Sequence, residues 1–155
     1  MELAAGRVVR LPQNRYRSGV LAFDRGDEMS ELLCLELSVI LWVVHVLCQA
    51  VTARAEFGDA YLFSPRDADV QTKGLVCGRA TRALRNYVEN LAPFVALDLA
   101  LIATGHTGGL GATLWIIGRI IYLPIYLAGI VYVRTAAWAL SIVGLLMMLG
   151  RLMAH

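Results

Sequence analysis

Little in this sequence points to nucleic acid, secretion or a metal site. The formal net charge is only +2. No basic patch with interleaved aromatics occurs, so the electrostatic footprint of a nucleic-acid partner is missing. Residues 1–28 carry Arg7, Arg10, Arg15, Arg17 and Arg25 against Glu2, Asp24, Asp27 and Glu28. No apolar stretch joins them to a small-residue cleavage site, so a signal peptide is not expected. Cys34, Cys48 and Cys77 are odd in number and have no metal-like spacing. The first two lie in an apolar run, so buried free thiols are expected. The glycine-rich stretch Gly105–Gly111 precedes no Gly-Lys-Ser/Thr and follows no strand, which makes it a tight turn and not a phosphate loop. Repeats and low-complexity tracts are absent.

Apolar sequence is what the chain has in excess. Hydrophobic residues make up 58% and the mean hydropathy is +0.62, against about 45–50% apolar in soluble domains. The excess is gathered in runs long enough for a bilayer core of about 30 Å. The expected architecture is all-α, an integral membrane four-helix bundle covering residues 30–155 behind a polar tail of residues 1–29. Met29 is a second candidate start.

The four expected spans run roughly Ser30–Ala53, Arg79–Thr104, Ala112–Val133 and Thr135–Met153. Arg54 closes the first. Residues 55–77 read as a polar loop, with Ser64-Pro65-Arg66-Asp67 as a turn. His45, inside the first span, is expected to satisfy a hydrogen bond between helices. Short connections after the second and third spans favour antiparallel neighbours. The loop holding Arg66 and Lys73, with Arg79, Arg82 and Arg85 beside it, is placed in the cytoplasm by the positive-inside rule. The arginine-rich tail argues for the reverse. The expected setting is an inner or plasma membrane.

The second span is too polar for lipid. Arg82, Arg85, Asn86 and Glu89 fall at i, i+3, i+4 and i+7, which is one helical face. A lipid-facing charge there would cost about 2.5–3.5 kcal/mol, so this face must meet protein or water. Pro93, four residues after Glu89, is expected to kink the helix or free a carbonyl. Arg119, Tyr122 and Tyr126 share a face of the third span in the same way, although interfacial belts also explain tyrosines. If these residues converge with Arg54 and Arg134, they form a basic pocket with one carboxylate and two phenols. Arginine forks hold carboxylates, a glutamate holds an ammonium, and arginine beside a thiol raises its thiolate fraction. Glutathione offers each of those groups. Two alternatives stay open: a buried ion-pair network holding a non-enzymatic bundle together, and a proton or ion path through Glu89 and Asp98.

The segment from Arg79 to Phe94 resembles the second-helix signature of the MAPEG superfamily, the membrane-associated proteins of eicosanoid and glutathione metabolism. The four-span layout, the Thr52-Ala53-Arg54 ending of the first span and the Arg119–Tyr126 stretch are similar too. The resemblance covers roughly residues 30–153 and is nearest to small bacterial members. It implies a homotrimer with glutathione as co-substrate between subunits. Arg54, Arg82, Arg85, Asn86, Glu89, Arg119 and Tyr122 would bind the tripeptide. Arg134 and Tyr126 would stabilise the thiolate as catalytic residues. The second substrate would be a lipophilic electrophile or hydroperoxide arriving through membrane lipid, with no metal involved.

Overall fold

The computed structural model describes residues 31–65 and 71–154. The expected tail, Arg66, Asp67 and His155 lie outside them. Four helices follow in order: α1 (Glu31–Leu62), α2 (Leu75–Ala103), α3 (Leu110–Ala128) and α4 (Val131–Met153). The fold is an all-α membrane bundle. α1, α3 and α4 are each long and apolar enough to cross a membrane. α2 has 29 residues, or about 43 Å at 1.5 Å per residue. That exceeds the hydrocarbon core by about three turns' worth of rise less a few ångströms, and its surplus is the charged end around Arg79–Arg85.

Polarity is inverted as lipid demands. The buried stripe of α1 holds Cys34, Ser38, His45 and Ala53. Its exposed surface holds Val39, Ile40, Val43, Val44, Leu47 and Val51. On this helix the apolar side chains face outward, as lipid favours, and the small and polar ones face the bundle. α3 and α4 approach closely through Gly111 and Gly144. A Cβ on Gly144 would lie 2.5 Å from the Gly111 carbonyl oxygen, and one on Gly111 would lie 2.8 Å from the Gly144 oxygen. Ala137 and Ser141 continue the small stripe against Gly118. The main core joins Tyr87, Phe94 and Leu101 of α2 to Trp115, Ile116, Leu145 and Met148. Phe94 stacks on Trp115 at 3.9 Å between ring centroids.

The helix boundaries correct three expectations. α1 does not stop at Arg54 but runs to Leu62. The chain bends at Gly58, whose φ of 75° suits glycine. The expected 55–77 loop is therefore helical at both ends. α3 ends at Ala128, and left-handed Gly129 (φ 80°) stops it. The Ile130 N–H returns to the Ile125 oxygen at 3.2 Å, closing the last turn. Tyr132 and Val133 thus belong to α4, whose first turns also carry Arg134. α2 runs on through Pro93, which has no N–H to return to the Glu89 carbonyl, so that carbonyl is freed as expected.

Two glutamates of α1 anchor the ends of other helices. Glu56 Oε1 accepts the N–H groups of Lys73 at 2.5 Å and Gly74 at 2.8 Å, where α2 starts. Glu31 Oε1 accepts those of Gly108 at 2.7 Å and Gly109 at 3.3 Å, where α3 starts. Each carboxylate meets otherwise orphaned donors and the positive end of a helix dipole.

Candidate functional site

The polar face of α2 divides as the helix turns. Asn86 is half-buried and points into the bundle, whereas Arg82, Arg85 and Glu89 are exposed. Arg85 Nε meets Glu89 Oε1 at 3.1 Å, one turn along the same helix, with the side chains 82% and 57% exposed. Pairs of this kind contribute only a few tenths of a kcal/mol, about 0.3–0.5.

Inside, Asn86 Oδ1 accepts a hydrogen bond from Arg119 Nη1 at 2.9 Å. Arg119 is fully buried. Its guanidinium carbon lies 5.6 Å from the Trp115 ring centroid and 5.5 Å from that of Tyr122. Among the described residues, its Nε and Nη2 find no hydrogen-bond partner, and neither ion pair described includes it. A buried cation is thus held by one amide and two ring faces, with no carboxylate paired to it among the described residues.

A ladder leads from Arg119 to the α3–α4 turn. Tyr122 and Tyr126 are 5.3 Å apart, and the Arg134 guanidinium carbon sits 4.8 Å from the Tyr126 ring. The first spacing suits an aromatic pair and the second lies within cation–π range. Asn86, Arg119, Tyr122, Tyr126 and Arg134 therefore come together within one copy. Arg54 does not join them. It forms an exposed pair with Asp59 at 2.7 Å across the Gly58 bend, beside a cavity of about 340 Å³ also lined by Ala50, Val51, Leu62 and Phe63.

Arg79, which the spacing argument did not single out, holds this end of the bundle. Its Nη1 donates to the Leu127 oxygen at 2.9 Å, placing a cation on the C-terminal end of α3. Its guanidinium covers Gly129 so closely that a Cβ there would lie 2.5 Å from Nη2. Glu56 was also missed. Its carboxyl lies below its ordinary value of 4.5, first through the Gly74 N–H bond and then through that of Lys73. Its position 18 residues before Gly74 gives no periodic signal. His45 behaves differently from its expected role. It is buried, its Nδ1 bonds the Leu41 oxygen of its own helix at 2.7 Å, and its ring stacks on Tyr87 at 4.3 Å. Since a carbonyl only accepts, Nδ1 carries the proton.

A comparison with protein-family models matches residues 32–154 to the MAPEG family. The chain belongs to the MAPEG family. The match takes in α2, α3 and α4 whole and all but the first residue of α1, so every residue of the ladder and of the α2 face lies within it. No match was found among curated proteins or among solved structures. Membership fits the four-helix membrane bundle and places the chain among multi-pass membrane proteins. It leaves the chemistry of this member to its own residues.

Proposed function

We propose that this MAPEG protein is a membrane glutathione transferase or glutathione-dependent peroxidase. The observation that carries this reading is Arg119, a fully buried guanidinium with two nitrogens unpartnered among the described residues. A cation in that state favours an anion entering beside it. The Tyr122–Tyr126–Arg134 ladder supplies phenols and a second guanidinium along the same line. In this reading Arg134 and Tyr126 hold the thiolate and lower the fraction of neutral thiol. Arg119, Tyr122 and Asn86 line the inner wall.

Arg54, Arg82, Arg85 and Glu89 would complete the site from outside. The α2 trio is exposed in a single copy, on a helix that cannot offer charge to lipid. A second copy of the chain covers that face in the reading we favour, as a homotrimer with glutathione between subunits. The exposed arginines take its carboxylates, and Glu89 takes its ammonium. The lipophilic electrophile or hydroperoxide arrives through the bilayer, and the site faces the cytoplasm. The competing reading, a non-enzymatic module built on a buried ion-pair network, gains little support. Both ion pairs described are exposed and each stays within one helix.

Glutathione conjugation tests this directly. Arg134→Ala should fold and lose turnover of a generic aryl halide, while wild type is active. Retained turnover would remove Arg134 from the thiolate site. Calorimetry showing no glutathione binding by wild type would remove the whole proposal.

A further inference from the structure

We propose that Asp98 is a second site, a proton-binding carboxyl held as the neutral acid inside the bundle and reached from the end that carries Glu31. Asp98 is fully buried. Among the described residues neither of its oxygens has a hydrogen-bond partner. It sits in the apolar half of α2, between Phe94 and Leu101, both fully buried members of the main core. An ionised carboxylate left alone in such surroundings is strongly disfavoured, and the group neutralises instead.

Among the described residues, the groups around it offer no neutralising cation. From α1 come Glu31 and Cys34, which interact with it electrostatically. The former adds charge of the same sign. From α3 and α4 the core brings Ala112, Trp115, Ile116, Leu145 and Met148. At the nearby bundle end, Arg151 is engaged with Thr107 and His106 with Thr104. Arg119 pairs with Asn86, 12 residues from Asp98 and so about 18 Å away along α2.

The same geometry decides where the proton enters. Glu89 and Asp98 are nine residues, or two and a half turns, apart, which puts them on opposite faces of α2. A path through that pair is not what this structure builds. The Phe94–Trp115 stack lies between Asp98 and the arginine layer. Glu31 lies at the opposite end, half-buried and one turn before Cys34. Proton exchange therefore runs to the water on the Glu31 side.

Dicyclohexylcarbodiimide, an apolar reagent that seeks protonated acids, tests the assignment. The carboxyl oxygen attacks the central carbon, and the acid proton passes to one nitrogen. The O-acylisourea then rearranges to an N-acylurea, with no leaving group. The purified full chain in lipid vesicles should gain the mass of one reagent, mapped by peptide digestion to Asp98. That adduct should be lost in Asp98→Asn. Because Asn matches the neutral acid in shape, the same variant should keep the wild-type thermal midpoint. No adduct at Asp98, or adducts only at Glu31, Glu36 or Glu89, would overturn the proposal. The mapping is done on wild type, so it stands even if Asp98→Asn fails to fold, and it does not depend on glutathione chemistry.

Discussion

Replacing Arg119 by Met separates a ligand-binding cation from a structural one. In the empty protein the guanidinium gains one charged hydrogen bond, about 1.5–3 kcal/mol, and two cation–π contacts at about 0.5–2 kcal/mol each. Against this stands desolvation of a fully buried charge, several kcal/mol in real proteins. The two sides nearly cancel. Met fills similar space without the charge and leaves Asn86 Oδ1 unsatisfied, at about 1–3 kcal/mol. The empty variant should therefore stay within about 2 kcal/mol of wild type, a figure that follows from these opposing contributions. Glutathione separates the proteins. At a hundred times its Kd it should stabilise wild type by about 2.7 kcal/mol, and the variant by far less. Thermal unfolding in nanodiscs, with and without glutathione, reads both quantities. If an acid from a neighbouring copy neutralises Arg119, the Met variant strands a buried carboxylate and loses about 3–5 kcal/mol. That loss, together with no glutathione effect on wild type, would make Arg119 a structural cation and not a ligand-binding one.

The Gly111–Gly144 contact should be intolerant of a methyl group. Gly144→Ala places a Cβ 2.5 Å from a backbone oxygen, and overpacking of this kind costs about 1–3 kcal/mol; Gly150→Ala, with nothing within 4 Å, should leave the thermal midpoint unchanged. Glu56 ties α1 to the start of α2 with a carboxyl held below its ordinary value of 4.5. A folded value below the unfolded one means that the stabilisation is complete above about pH 4.5 and fades as pH falls through the folded value. The acid limb of a stability–pH curve should therefore flatten in Glu56→Ala; an unchanged limb would mean the tie contributes nothing. Arg79→Met should lower protection of the amides near Gly129 in hydrogen exchange, because its bond to the Leu127 oxygen is lost.

The face assignments were legible in the sequence because helical periodicity fixes them. The spacing of Arg119, Tyr122 and Tyr126 becomes the inner ladder. The helix ends were less legible. Nothing local distinguishes Arg54 as a stop, since Ala55, Glu56 and Phe57 extend a helix readily and only Gly58 bends it. Tyr132 and Val133 continue the apolar pattern of the third span, and the left-handed Gly129 that separates them is one glycine among 14. The glutamates that anchor α2 and α3 act over 17 or more residues, beyond the reach of any periodic argument.

Periodicity also cannot say what a face meets, and here the candidate site divides. Asn86 lies one residue from Arg85 and three from Glu89, yet it turns to Arg119 while its neighbours turn outward. Four side chains on one face span about 100° of arc, wide enough for the inner edge to meet α3 while the outer edge leaves the bundle. The inner edge is left with a cation lacking an anion, and the outer edge with charges that lipid does not accept. A ligand lodged at a boundary between two copies would meet both needs at once. For that reason a glutathione-dependent change in oligomer stability would tell more than binding to an isolated copy.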